Sequence, residues 1–311
     1  MKWTGKKIGL ALGGGGVRGL AHIGVLNVLE QEGIGVDLIV GTSAGALIGG
    51  AYASGMSIRN ITAKVDGYLR SSEYRDSTIK AIGATFSTKQ NKNIFQKTQN
   101  FLRNRYYLLR ALFSPSILPS EDFQSLINYL LPDIDIRGTR IPFIAVSTDL
   151  ITGKQVVLKD GSLRQAVLAS SSVPGAVAPT RMGNWLLADG GVTSLVPVNA
   201  ARKAGADVVI AVTVDRELPG DNGIETAKDV LYRAGEITAS TLQAAELENA
   251  DVVIRPSVGD LHWADFSRPD HLIRVGEEAA RQSLEKINDS LPLLRRFERF
   301  TRRFRKIGKP V

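Results

Sequence analysis

Two apolar segments near the start of the chain are each followed by a glycine-rich turn and then by a segment with helical spacing of apolar residues. The apolar segments are residues 8–12 and 36–40, and the predicted helices cover 17–31 and 44–53. Continuous apolar strands that alternate with helices are typical of a parallel sheet covered on both faces. We therefore predict an α/β fold with three layers, α/β/α, around a mainly parallel central sheet.

Length and composition allow either one large α/β domain or two ordinary ones, since the chain has 311 residues and is 43% apolar. The absence of cysteine excludes disulfides, a thiolate nucleophile and cysteine-based metal sites. Residues 1–7 contain no apolar signal region, and no run of 18 uninterrupted apolar residues occurs. We expect neither a secretory signal nor a transmembrane helix. We expect a cytoplasmic protein, and we leave peripheral attachment to the inner face of the membrane open.

The net charge of +8 is concentrated in two segments. Residues 67–112 contain nine Lys and Arg against two acids, and residues 295–309 contain eight against one, so the remainder is mildly acidic. We predict a catalytic domain over 1–290, with a basic helical insertion or cap at about 67–119. Residues 291–311 are predicted to form a basic amphipathic helix or tail.

The pentapeptide at 41–45, Gly-Thr-Ser-Ala-Gly, follows the second predicted strand and precedes a helix. The pattern G-x-S-x-G in that context marks a sharp strand-to-helix turn that exposes the serine hydroxyl. The helix N-terminus that follows also favours developing negative charge. Ser43 is therefore the candidate nucleophile for acyl transfer.

The glycine-rich run at 14–19 follows the first predicted strand and admits two interpretations. Gly14, Gly16 and Gly19 fit the dinucleotide pattern G-x-G-x-x-G, which expects an acid at the end of the second strand. Here the acid, Asp37, lies at the start of that strand, and Ser43 follows its end. Consecutive glycine N–H groups beside an arginine equally suit an oxyanion, and we favour this second interpretation.

A serine nucleophile needs a base, and the residues alone leave that base open. Of the three histidines, we interpret His22 as structural, whereas His262 and His271 lie in a polar stretch that we predict to be surface loop. The order Ser, Asp, His would suit an α/β-hydrolase triad. The alternative is a carboxylate, Asp189, which follows a predicted strand and precedes two glycines.

The combination of motifs resembles the patatin-like phospholipases, in particular their compact bacterial members. The matching stretches span residues 6–215. They are the glycine-rich run at 14–19, the segment 21–26, the pentapeptide at 41–45, the segments 147–153 and 169–174, and Asp-Gly-Gly at 189–191.

The resemblance implies a patatin-like fold and a serine lipid acyl hydrolase of the phospholipase A or esterase type. By the same resemblance Ser43 is the nucleophile and Asp189 its base in a Ser-Asp dyad. The N–H groups of Gly14, Gly15 and Gly16, with Arg18 nearby, would form the oxyanion hole. The expected chemistry passes through an acyl-enzyme, with no cofactor and no metal. The substrate would be a phospholipid or another acyl ester.

The segment 291–309 spaces its apolar residues three or four apart among arginines and lysines, which suits a surface rich in anionic lipid. The alternative is a helix that docks on the protein body. No nucleic-acid recognition motif accompanies the charge, so we expect no specific nucleic-acid partner. These basic segments also support a competing hypothesis from another functional class. In that hypothesis the chain is a regulatory or membrane-adaptor protein with little catalysis.

Overall fold

The computed structural model describes residues 6–80, 116, 119–214 and 224–292. Eight strands in these ranges form one sheet. They are β1 Ile8–Leu12, β2 Leu38–Thr42, β3 Phe143–Asp149, β4 Gln155–Leu158, β5 Thr180–Met182, β6 Trp185–Asp189, β7 Val208–Val212 and β8 Val252–Ile254.

Ten α-helices within the described ranges connect and cover these strands. They are α1 Ala21–Gln31, α2 Ala44–Ala53, α3 Ile58–Arg70, α4 Ser72–Asp76, α5 Ser120–Leu130, α6 Leu163–Ser170, α7 Val198–Lys203, α8 Ala227–Leu247, α9 Pro269–Gln282 and α10 Leu284–Ser290. Short 3-10 turns cover Gly16–Leu20, Ile136–Gly138 and Gly190–Val192.

The sheet confirms the predicted α/β architecture. Hydrogen bonding connects its strands along the path β5-β6-β3-β2-β1-β7-β8, and β4 also pairs with β3. Strands β3, β2, β1, β7 and β8 run parallel to one another, whereas β4 and β6 pair antiparallel with β3, and β5 pairs antiparallel with β6. The chain therefore places β2 and β3 on one side of β1 and returns to the other side of β1 with β7. In such sheets ligands bind at the carboxyl ends of the strands where the order reverses.

Two buried clusters lie on opposite faces of the sheet and define its helical layers. The larger contains side chains of α1, α2, α3, α5, α6, α9 and α10. The smaller contains α7 and the end of α8. Every residue of β1, β2, β3 and β7 is buried, as the predicted three-layer arrangement requires.

The pairing register brings the ends of β2 and β6 together. Thr42 of β2 pairs with Val146 of β3, and Asp189 of β6 pairs with the next residue, Ser147. Because β4 occupies the opposite edge of β3 over these positions, β2 and β6 share one edge. The two strands run in opposite directions along that edge, so their carboxyl ends meet and Ser43 follows beside Asp189.

Several element predictions need correction. The second strand begins at Leu38 and not at Val36, because the N–H and carboxylate of Asp37 already bond to Ile8 across the end of β1. His271 was expected in a surface loop but lies on α9, which Pro269 initiates. The short strand β5 was not predicted from the sequence.

The predicted domain boundaries stay predictions. Most of the basic insertion and nearly all of the tail lie outside the described residues, which of these segments include only 67–80, 116, 119 and 291–292. None of the described helices is long and apolar enough to span a bilayer.

Candidate functional site

The backbone at Ser43 has the geometry of a strand-to-helix elbow. Its φ of 53° and ψ of −122° make it the one non-glycine residue with positive φ in the described part of the chain. Such a conformation costs on the order of 1–3 kcal/mol and persists where the surrounding structure enforces it. The flanking glycines permit the tight turn, because a Cβ at Gly41 would collide with Ala46 and one at Gly45 with the carbonyl oxygen of Leu12.

Buried serines of α6 and the loop after it hold both sides of the site. The N–H of Ser43 donates to Ser170 Oγ at 3.0 Å, and this hydroxyl donates to the carbonyl oxygen of Val146. The N–H of Asp189 donates to the carbonyl oxygen of Ser172 at 2.8 Å. Residues 169–174 therefore position the elbow and Asp189 through these hydrogen bonds. Their sequence alone does not indicate this role.

Asp189 lies beside the elbow serine. The neighbouring Ser43 hydroxyl favours the ionised form of Asp189, and the carboxylate accepts the N–H of Gly191 at 2.7 Å. Burial raises the pKa of Asp189 to about 6 against these two interactions, which by themselves lower it. Both side chains are only 6% exposed. The arrangement places a buried carboxylate with a raised pKa beside the serine hydroxyl.

Glu246 of α8 braces the loop that carries Asp189. Ser194 Oγ lies 2.7 Å and 2.9 Å from the two carboxylate oxygens of Glu246, and burial raises the pKa of Glu246 to about 7. The carbonyl oxygen of Ser194 accepts the Thr42 hydroxyl at 2.9 Å. Ser194 thus connects α8 to the residue that precedes the elbow serine.

The glycine-rich loop presents fewer N–H donors than the sequence suggested. The N–H of Gly14, expected to face an oxyanion, instead donates to the carbonyl oxygen of Leu195 at 2.9 Å, so Gly14 leaves the set of donors. The N–H groups of Gly15, Gly16 and Ala44 have no acceptor among the described residues. Gly16 begins a 3-10 turn and Ala44 begins α2, where free N–H groups are expected.

Arg18 and His22 fix the peptide planes of this loop. Arg18 is 9% exposed, and its Nε donates to the carbonyl oxygen of Gly15 at 3.0 Å. Because C=O and N–H point in opposite directions across a trans peptide, this bond turns the Gly16 N–H the other way. His22 Nε2 lies 2.8 Å from the carbonyl oxygen of Gly13, and burial lowers the pKa of His22 to about 4. The structural interpretation of His22 therefore holds.

An apolar cavity opens beside Ser43. The empty space at this opening is about 870 Å³, including the part open to solvent. Helices α2, α3 and α5 form much of its wall, and the polar side chains in the lining are few. The lining includes Leu47, Ile48, Val65, Tyr68, Leu69, Phe123, Leu126, Leu130, Val173, Val177, Trp263 and Phe266.

Two of the lining residues come from a loop that the polar sequence predicts to lie at the surface. Trp263 and Phe266 pack against the main core, and the N–H of Val17 donates to the carbonyl oxygen of Trp263 at 2.8 Å. His262 lies in the same loop, where its Nδ1 accepts the N–H of Ala264 at 3.3 Å. This loop therefore closes one side of the site.

Comparisons with known proteins agree with this fold. Residues 10–202 match the family model described as patatin-like phospholipase. The chain is 30% identical to an uncharacterized NTE family protein of Mycobacterium tuberculosis over 91% of this chain and 47% of that protein. It is also 30% identical to patatin-like phospholipase domain-containing protein 7 of Mus musculus, over 89% of this chain and 20% of that protein.

A three-layer α/β fold with an elbow serine at the carboxyl edge of its sheet defines the structural class. The chain belongs to the patatin-like phospholipase family. It spans about half or less of the length of these curated relatives. Among solved structures, VipD from Legionella pneumophila is similar with a TM-score of 0.46 and 14% identity, over 90% of this chain and 67% of that one.

Proposed function

We propose that this chain is a lipid acyl hydrolase that uses Ser43 and Asp189 as a catalytic dyad. The observation that carries the proposal is the position of the buried Asp189 carboxylate beside the Ser43 side chain, which β3 sets by pairing with both strands. The apolar cavity beside Ser43 supports an acyl chain as the ligand. Family membership supports the same reaction class.

In the first half of the reaction, Asp189 takes the hydroxyl proton as Ser43 Oγ attacks the ester carbonyl carbon. The carbonyl π electrons move to oxygen, and the N–H groups of Gly15, Gly16 and Ala44 are the donors available to this oxyanion. The intermediate then collapses, the ester C–O bond breaks, and the alcohol leaves with the proton held by Asp189. An acyl-Ser43 ester remains.

In the second half, Asp189 takes a proton from water as the water oxygen attacks the acyl-enzyme. Collapse of the second intermediate releases the fatty acid and returns the proton to Ser43 Oγ. The raised pKa of Asp189 suits both steps, because a more basic carboxylate is a better proton acceptor and is still ionised near neutral pH.

Arg18 acts as a positioning residue in this proposal. Its hydrogen bond to Gly15 sets the direction of the Gly16 N–H, and its buried positive charge favours negative charge nearby. The acyl chain would lie in the cavity between α2, α3 and α5. The alcohol part of the substrate would face the open side of the site.

Activity measurements separate this proposal from an α/β-hydrolase triad. Ser43→Ala and Asp189→Asn should each abolish hydrolysis of a panel of phospholipids and simple esters while circular dichroism shows an intact fold. Ser290→Ala, which removes a hydroxyl at the end of α10, is the matched control and should retain full activity. If His262→Asn or His271→Asn were the silencing change, the triad would replace the dyad.

The competing hypothesis is a membrane adaptor with little catalysis, and it depends on the basic tail. We propose that residues 291–309 contact anionic membrane, a prediction that concerns residues almost wholly outside the described ranges. Deletion of 291–311 should reduce flotation with anionic liposomes and leave hydrolysis of a soluble ester intact. Flotation that does not change would exclude the tail as a membrane element.

A further inference from the structure

Two neighbouring hairpin turns expose large apolar side chains. Leu150 and Ile151 lie in the turn between β3 and β4 and are 46% and 61% exposed. Trp185 begins β6, directly after the turn from β5, and is 44% exposed. Because Asp149 pairs with Leu187 on the antiparallel strand, continuing the register brings Ile151 opposite Trp185. We call Leu150, Ile151 and Trp185 the hairpin platform.

Asp149 ties the two turns into one unit. Its buried carboxylate accepts the N–H groups of Ile151 and Thr152, the Thr152 hydroxyl and the N–H of Leu186. The N–H of Leu150 donates to the carbonyl oxygen of Leu186 at 2.8 Å. These hydrogen bonds lower the pKa of Asp149 and keep it ionised. The platform is therefore held in an exposed arrangement by bonds that cross from one hairpin to the other.

The exposed charges beside the platform are positive. Lys154 follows the first turn and Arg181 lies on β5, and both are exposed. The one acidic residue in the ranges 149–155 and 180–187 is Asp149, and it is only 1% exposed. Apolar side chains that include a tryptophan, bordered by lysine and arginine, have the composition of a surface that contacts the headgroup region of an anionic bilayer.

The platform lies at the same edge of the sheet as Ser43. β3 extends past the end of β2, which pairs only as far as Val146, and Ile151 is five residues farther along the chain. At ~3.3 Å per strand residue, the three residues of β3 that follow Val146 carry the first turn roughly 10 Å beyond the end of β2. A lipid surface that touched the platform would thus lie over the edge that carries the site.

We propose that the hairpin platform, with Lys154 and Arg181, is a membrane-contact surface for anionic phospholipid bilayers. This inference rests on the proposed lipid hydrolase function, to which it adds the direction from which substrate is reached. The bilayer is favoured over a protein partner because the exposed charged residues within 149–155 and 180–187 are positive. The apolar side chains also lie in or directly beside hairpin turns, which can enter an interface without rearrangement of the sheet.

Vesicle sedimentation with phosphatidylcholine–phosphatidylglycerol vesicles tests the platform. Ile151→Asp should weaken binding roughly tenfold or more, because it removes apolar burial and adds a negative charge at the anionic surface. Val157→Asp is the matched control. Val157 is 44% exposed on the same hairpin but pairs with Val146, well behind the turn, so this variant should bind like the parent.

Tryptophan fluorescence gives an independent readout. Vesicles should shift the emission of the parent to shorter wavelength, and Trp185→Phe should lose most of that shift. Hydrolysis of a soluble short-chain ester should be the same in the parent, Ile151→Asp and Trp185→Phe. A parent without esterase activity would refute the proposed function, whereas the vesicle measurements would still decide the platform.

Four results would overturn the platform. One is equal vesicle binding by the parent and Ile151→Asp, and another is an equal loss in Val157→Asp. A third is a loss confined to Leu231→Asp, on the exposed part of α8, or to deletion of 291–311. The fourth is self-association of the parent, seen by sedimentation velocity and abolished by Ile151→Asp, which would assign the surface to a second copy of the chain.

Discussion

Replacement of Asp189 by asparagine should stabilise the protein at alkaline pH while it abolishes activity. Burial raises the pKa of Asp189 from 3.8 to about 6, so the folded state retains a proton that the unfolded state releases between these values. The contribution of Asp189 to folding stability therefore falls as pH rises through this window and is constant above it. At 1.36 kcal/mol per pKa unit, the ionised aspartate costs about 3 kcal/mol at pH 8.

Asparagine removes this cost and keeps most of the local geometry. Its side-chain oxygen can still accept the N–H of Gly191, and its amide can donate to Ser43 Oγ, which has lone pairs to accept it. We expect Asp189→Asn to gain as much as about 3 kcal/mol in the free energy of unfolding at pH 8. The gain should vanish near pH 4, where the wild-type carboxyl is protonated.

Urea unfolding curves at several pH values measure this difference directly. Asp260→Asn, at an exposed position after β8, is the matched control and should follow the wild-type pH dependence. If Asp189→Asn and the wild type had parallel pH profiles, the buried high-pKa carboxylate would be refuted. A variant less stable than the wild type at pH 8 would refute it as well.

Three further changes test the loop, the helix packing and the cavity. Arg18→Met should lower kcat by ~10-fold or more with little change in KM, since one misplaced oxyanion donor costs on the order of 2–4 kcal/mol, and a KM effect alone would contradict this. Gly276→Ala should lower the free energy of unfolding by about 1–3 kcal/mol, because its Cβ would collide with the carbonyl oxygen of Ala21. The control Gly235→Ala, with open space around it on α8, should be neutral or stabilising by up to about 1 kcal/mol in thermal unfolding, and equal losses would refute the packing argument. Leu47→Trp should reduce hydrolysis of long-chain p-nitrophenyl esters more than of short-chain ones, whereas a uniform change would place the acyl chain elsewhere.

The local part of the site could be predicted from sequence because its signals are local. The strand β1, the strand-turn-helix around Ser43 and the helix α2 each have a short-range pattern, and the structure has all three. Even so, the boundary of β2 was misplaced by two residues. The hydrogen bonds of Asp37 to Ile8, which precede the strand, are a tertiary feature that periodicity does not report.

The rest of the site depends on contacts between distant residues. Asp189 meets Ser43 because of the register of β6 on β3, and an Asp-Gly pair alone equally predicts a turn. For that reason the residues alone leave Asp189 as one of two kinds of candidate base, and the family resemblance selects it. The carbonyl oxygen of Trp263 accepts a hydrogen bond from Val17, some two hundred and fifty residues earlier in the chain, and the N–H of Gly14 donates to the carbonyl oxygen of Leu195. Neither contact has a signal in the sequence.

Capture of the acyl-enzyme tests the central claim most directly. The protein is mixed with a slowly hydrolysed ester, quenched in acid, digested and examined by peptide mass spectrometry. The account predicts an added acyl mass on Ser43 in the wild type, none in Ser43→Ala, and a strongly reduced yield in Asp189→Asn. An adduct on any other residue, or hydrolysis that persists in Ser43→Ala, would contradict it.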